Sequence, residues 1–166
     1  MKIIMGAVTK GFKLKEAVKV HLEKQGHEII DVGCYDADTF YKFPASGQRV
    51  AEALQKGLAP LAINICGSGT GACITANKFK GVCAVSCESD KTARLARVVN
   101  DANCLCMGEM ILNPDHACQI ADAFTSAKFQ DAPGIPPKVL AFWKEARDEL
   151  MARGDKAGPR QMEVLD

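Results

Sequence analysis

Short apolar runs alternate with stretches of helical period along nearly the whole chain, and few architectures accept that order. Residues 2–6, 28–33, 60–65, 82–87 and 103–107 read as strands. Residues 13–25, 46–57, a short piece ending near Lys78, and 89–100 read as the helices between and beside them. Two more helices follow at 114–125 and about 138–153. Gly26 and Gly57 stop the first two helices, Ser46 is expected to N-cap the second, and Pro114 suits the first turn of the fifth. A strand that returns through a helix pairs in parallel, and a parallel sheet needs cover on both faces. The expectation is an α/β fold, a three-layer α/β/α sandwich around a five-stranded parallel sheet. The near-continuous apolar run VCAVSC (82–87) reads as a central strand buried on both sides.

A chain of 166 residues fits one domain, taken as 1–152, with residues 153–166 as a tail expected to pack on a neighbouring subunit. Lys and Arg number 21 against 20 Asp and Glu, so bulk charge does not hold a nucleic acid. No window of about 18 apolar residues spans a membrane, and the N-terminal MKIIMGAVTK lacks the long apolar core of a secretion signal. A cytoplasmic setting follows as the expectation. There the eight cysteines stay reduced, mostly as small core hydrophobes in runs such as GVCAVSC and NCLCMG. No CxxC pair occurs, and three histidines offer little to complete a site. Neither a metal nor another cofactor is expected.

In open parallel sheets, ligands bind beyond the carboxyl ends of the strands, as in Rossmann-like folds. One such end stands out: Ile65-Cys66-Gly67-Ser68-Gly69-Thr70-Gly71 follows a buried strand and opens a helix. Three glycines leave backbone N–H groups bare, so an oxyanion can approach them closely. The segment is neither a Walker A loop nor a dinucleotide fingerprint, because the required lysine and spacing are missing. A thiol beside a helix N-terminus tends toward thiolate, which makes Cys66 a candidate base or nucleophile. His21, His27 and His116 all fall outside the strand-end loops, so a base acting without histidine is preferred to a Cys–His hydrolase.

The chain resembles the type B ribose-5-phosphate isomerases and the galactose-6-phosphate isomerase subunits. The resemblance is carried by GFKLKEAV (11–18), GHEIIDVG (26–33), ICGSGTGACITANKFKGVCAV (65–85) and NDANCLCMG (100–108), with weaker matches at Phe43-Pro44 and FTSAKF (124–129). It implies an aldose–ketose isomerase that works on a sugar phosphate through a cis-enediolate, with no cofactor. It implies Cys66 as the base and Ser68 as a group polarising a hydroxyl or carbonyl. Gly67, Gly69, Thr70, Gly71, Asn100, Thr9 and Lys10 are then the substrate and oxyanion neighbours. A homodimer or higher oligomer with shared sites is also implied, or a heteromer with a dissimilar partner subunit.

The departures redirect the expectation. Where the family has an Asp and a His after the first strand, this chain has Val8 and Thr9; where it has a ring-opening His, Val99 stands before Asn100. The Gly-x-Arg after the fifth strand becomes Gly108-Glu109-Met110, and a segment carrying two arginines becomes APGIPPK (132–138). Lys138 alone keeps a cation there and is taken as a phosphate contact; among the replacements Lys10, in a strand-end loop, ranks first and Lys138 next, ahead of Arg94, Arg97, Arg153 and Arg160. Without a ring-opening histidine, a substrate that cannot close its ring is the better match. The competing expectation is a non-catalytic or partner-dependent sugar-phosphate-binding subunit.

Overall fold

The structure, a computed structural model, describes residues 1–155. The tail expected at 153–166 lies outside the described residues from 156 onward. Strands β1 (Lys2–Ala7), β2 (Glu28–Asp31), β3 (Leu61–Cys66), β4 (Ala84–Ser86) and β5 (Cys104–Gly108) alternate with α1 (Phe12–Lys24), α2 (Phe43–Gln55), α3 (Thr70–Ala76) and α4 (Asp90–Asn100). Helices α5 (Pro114–Ser126) and α6 (Pro137–Asp155) close the chain. All four pairings are parallel, in the order β2-β1-β3-β5-β4. Thus the five-stranded parallel sheet of the three-layer sandwich is present.

Alternate residues of each strand enter different layers. Ile3, Met5, Ile63, Ile65, Leu105 and Met107 meet Leu14, Val18 and Leu22 of α1 and Ile120 and Phe124 of α5. Ile4, Ala62, Cys66, Cys104 and Cys106 face Val50 and Ala51 of α2 and Ala72 and Ala76 of α3. The inward stripe of α5 is as expected, whereas α1 buries Lys15 completely. The Lys15 ammonium reaches Asp31 Oδ2 at 2.6 Å and the Cys34 carbonyl at 2.8 Å, which ties α1 to the end of β2.

Three expectations need correction. VCAVSC is not central: β4 is short and lies at the sheet edge. Its outer polar groups are capped by a side chain instead of a strand, since Asn77 Oδ1 accepts from Ala84 N–H and Asn77 Nδ2 donates to the Ala84 carbonyl, both at 2.8 Å. Ser46 does not cap α2, which begins three residues earlier with Lys42 as an extended N-cap and Pro44 in the first turn. Proline suits that position because its missing N–H has no acceptor there anyway. Ser46 is buried inside the helix and donates to Asn64 Oδ1 on β3 at 2.7 Å. Finally, the apolar face expected on α6 is only partly covered: Phe142 and Leu150 are exposed while Trp143 is half-buried.

Candidate active site

The chain runs from β1 outward to β2 and then back across to β3, so the order reverses between β1 and β3. Such a reversal opens a crevice at the strands' carboxyl ends. A cavity of about 860 Å³ occupies it. Its floor is Cys66, Gly67, Ser68, Thr70 and Gly71; Val8, Thr9 and Lys10 come from the turn after β1. Phe40 to Pro44 and Met110 complete much of the wall.

Cys66 ends β3 and is 4% exposed. Its sulfur accepts the Gly69 N–H at 3.0 Å. Gly69 can turn that amide back because it sits at φ +83°, where a side chain would be strained and would also approach Ser86 Oγ to 2.8 Å. The turn is fixed from below: Glu109 N–H donates to the Cys66 carbonyl and Met110 N–H to that of Gly67, each at 2.9 Å. Gly108 has no room for a Cβ, which would lie 2.6 Å from the Ser68 carbonyl carbon. Thr70 and Gly71 open α3, and the first N–H groups of a helix have no intrahelical acceptor. Ser68 Oγ and Thr70 Oγ1 are both exposed to the cavity side of the turn and lie 2.7 Å apart. The floor therefore combines a thiol held by a fixed donor, a hydroxyl pair and the amides that open α3.

The residues singled out in the sequence divide into two groups. Cys66, Gly67, Ser68, Thr70, Gly71, Thr9 and Lys10 come together around the cavity, with Gly69 directly beneath as the donor to sulfur. Thr9 is occupied structurally: its hydroxyl donates to the Thr39 carbonyl at 2.8 Å and accepts the Tyr41 N–H at 2.9 Å. Asn100 is exposed at the last residue of α4, which leads back to the amino end of β5, so this chain does not bring it to the cavity. Lys138 is exposed on the first turn of α6 and also does not line it. Arg94 and Arg97 are engaged elsewhere, with Asp131 and Asp101. Sequence reasoning missed the aromatic wall of Phe40, Tyr41 and Phe43, together with Lys42, Ile74 and Met110. Phe43-Pro44 was visible as a motif, but the loop's return over the crevice depends on Thr9 and on the Lys15 anchor.

Behind the site, α3 and β5 bring further thiols together. Cys104 and Cys106 sulfurs are 4.0 Å apart. A hydrogen bond from Cys106 brings the Cys73 thiol down to about 7, while burial pushes Cys87 up to about 11. Among the described residues, all eight cysteines are free and no group of three or more metal-ligating side chains is placed to hold an ion. No helix among them is long and apolar enough to cross a membrane.

Comparison with known proteins shows the family and the fold. The family model described as "Ribose/Galactose Isomerase" matches residues 3–134. The 4-deoxy-4-sulfo-D-erythrose isomerase of Clostridium sp. (strain MSTE9) is 40% identical over 131 residues, covering 79% of this chain and 82% of that protein. The probable ribose-5-phosphate isomerase B of Mycoplasma pneumoniae is 38% identical over 137 residues, covering 81% and 90%. The solved ribose-5-phosphate isomerase B of Clostridium thermocellum superposes with a TM-score of 0.84 at 33% identity, over 94% of this chain and 99% of that one.

Proposed function

The chain belongs to the ribose/galactose isomerase family of aldose–ketose isomerases, and we propose that it interconverts an open-chain four-carbon aldose and its 2-ketose, each carrying an anionic group at C4, with Cys66 as the base. The observation that carries this reading is the Cys66 sulfur, fixed by the Gly69 N–H on the floor of the crevice beside the amides that open α3.

In the proposed step, the Cys66 thiolate takes the proton from C2 of the aldose. The C2–H electron pair becomes the C1–C2 double bond, and the negative charge moves onto O1 as an enediolate. The amides of Gly67, Thr70 and Gly71 receive that oxygen; fixed donors of this kind stabilise charge most where water is excluded. The Ser68–Thr70 hydroxyl pair, 2.7 Å apart, carries the proton from O2 to O1. The thiol then returns its proton to C1, leaving the ketose and regenerating the thiolate. Positioned proton transfer of this type contributes typically ~10²–10⁴-fold.

The carbon number rests on what the cavity lacks. Among the described residues no histidine lines it, and the Thr9 hydroxyl is held by Thr39 and Tyr41, so none of them offers a free acid there for opening a sugar ring. A tetrose substituted at C4 has no free O4 with which to form a furanose. It therefore reaches the site with its carbonyl already open. The relative from Clostridium sp. is named for a four-carbon sugar of this kind.

The test is solvent-deuterium incorporation into four-, five- and six-carbon aldose and ketose phosphates and into 4-deoxy-4-sulfo-erythrose, with the purified protein and Cys66→Ala. Cys66-dependent exchange into four-carbon sugars alone is the expected result. Exchange that survives Cys66→Ala would overturn the base assignment, and exchange confined to pentose or hexose phosphates would overturn the carbon number. Exchange that appears only with a second, dissimilar subunit would favour the partner-dependent alternative.

A further inference from the structure

Behind the floor of the site, thiols of α3 and β5 form a chain of contacts. Cys73, one turn into α3, is hydrogen-bonded to Cys106 of β5, whose sulfur lies 4.0 Å from that of Cys104. Two further groups hold the Cys73 sulfur in place. Its thiol donates to the Ala84 carbonyl at 3.4 Å, and Asn77 Nδ2 donates to it at 3.6 Å. All of these groups belong to one chain. Cys73 is half-buried whereas Cys104 and Cys106 are fully buried, so a small oxidant meets Cys73 first. The thiolate is the form that reacts with peroxide. Hydrogen bonds from Cys106 and from the Ser86 N–H bring Cys73 down to about 7, while burial holds Cys34, Cys83, Cys87 and Cys118 toward the protonated thiol. Cys106 itself is kept protonated by its hydrogen bonds to Cys104 and Cys73.

We infer that Cys73 is a peroxide-oxidised modification site with Cys106 as its internal resolving thiol, and, resting on the reading of Cys66 as the base, that the disulfide between them slows the isomerase. In the first step the Cys73 thiolate attacks one oxygen of hydrogen peroxide. An S–O bond forms, the O–O bond breaks, and the departing hydroxide takes a solvent proton as water. In the second, the Cys106 sulfur attacks the Cys73 sulfenic acid. The S–S bond forms, the S–O bond breaks, and the hydroxide leaves as water with the Cys106 proton. Cys104 is the poorer partner for Cys106. Two residues on an extended strand stand roughly 6.7 Å apart, at the far end of the ~4.4–6.8 Å that a disulfide spans. Hydrogen-bonded sulfurs must close to ~2.05 Å to bond, which draws α3 toward β5. Both ends of that bond border the reactive turn. The Cys73 N–H donates to the Gly69 carbonyl at 3.3 Å, and the Gly69 N–H donates to the Cys66 sulfur. Gly108, two residues beyond Cys106, packs against Ser68 with no room for a Cβ. Closing the disulfide therefore shifts the Gly69 and Thr70 amides relative to Cys66.

The experiment treats the reduced full chain with hydrogen peroxide, then maps its peptides by mass and measures solvent-deuterium exchange. The expected product is a Cys73–Cys106 disulfide, two hydrogens lighter than the dithiol. Exchange should fall at least ~10-fold, as a displacement of this kind in a catalytic turn allows, and dithiothreitol should restore it. Cys73→Ser should keep the exchange of the reduced protein and withstand the same peroxide dose. In Cys106→Ala the reaction should stop at a Cys73 sulfenic acid, which dimedone captures. Thermal unfolding shows that each variant is folded, and Cys73→Ser, at a half-buried position, serves as the test should Cys106→Ala fail to fold. Absence of the Cys73–Cys106 disulfide from the treated protein would overturn the inference. Inactivation that persists in Cys73→Ser would do the same, since it would place the damage on Cys66 or another thiol. The two readings fail separately: a disulfide that forms in a protein exchanging no sugar overturns the isomerase reading, and full exchange in the disulfide form overturns the switch alone.

Discussion

On the α1/α4/α5 face of the sheet, Ile3, Met5, Ile63, Leu105 and Met107 meet Leu22, Ile120 and Phe124 in a layer of large side chains. On the α2/α3 face, Ala62, Cys104 and Cys106 meet Ala51, Ala72 and Ala76. The first face gains its stability from area removed from water. The second lets backbones come close: a Cβ on Gly47 of α2 would lie 2.5 Å from Thr75 Cβ of α3, and one on Gly71 would lie 2.9 Å from the Phe43 ring. Cys66 points into this second face, and α3 starts from its turn. Placing a reactive turn between a sheet and two helices requires small residues around it. The large-residue face supplies the stability that the small-residue face forgoes.

Substitutions on each face can break this division of labour. The largest effect is expected from Cys66→Ala, which removes the base and should lower turnover by ~10²–10⁴-fold with the melting temperature nearly unchanged. Comparing exchange rates with thermal unfolding checks both halves. Phe124→Ala should do the opposite. It empties a fully buried site on the other face and should cost about 3–5 kcal/mol in urea unfolding, while the folded fraction keeps its turnover. A large loss of turnover per folded molecule would show that the two faces are not separable.

Gly69→Ala tests whether the small face tolerates even one methyl. The positive φ alone costs about 1–3 kcal/mol, and displacement of the N–H from the Cys66 sulfur should reduce turnover by roughly 10²-fold. Steady-state kinetics beside denaturant melts would reveal the combination. Ser46→Ala is gentler: it leaves the buried Asn64 Oδ1 without its 2.7 Å donor and should cost about 1–3 kcal/mol, with KM unaffected. The smallest effect sharpens the contrast among thiols. At pH 8 Cys73, near 7, is mostly thiolate and Cys87, near 11, is protonated. Iodoacetamide mapping by peptide mass should therefore find Cys73 modified before Cys87, and lowering the pH below about 7 should suppress that labelling.

Much of this was legible before any coordinates. Five apolar runs, the helix stops at Gly26 and Gly57, and the α5 stripe Ala117, Ile120, Ala121 and Phe124 are local patterns, and each appears in the fold. The floor of the site was legible too, because Cys66 through Gly71 are consecutive and their chemistry needs only a strand before and a helix after. What failed was non-local. VCAVSC is as apolar as a central strand, yet it lies at the edge, where the Asn77 and Asn103 amides satisfy its backbone. Ser46 has the composition of a cap, yet Pro44 starts the helix earlier and Asn64 claims the hydroxyl.

By itself, then, the sequence determined the alternation of elements, the parallel sheet and the reactive turn, since periodicity, glycine and proline act over a few residues. Only the tertiary structure decided the strand order, the crevice between β1 and β3, and the return of Phe40–Pro44 over it. Those depend on contacts between residues distant in the chain, such as Lys15 with Asp31 and Thr9 with Tyr41. The same long-range packing brought Lys10 and Lys42 to one cavity and turned Glu109 away to the Leu14 N–H.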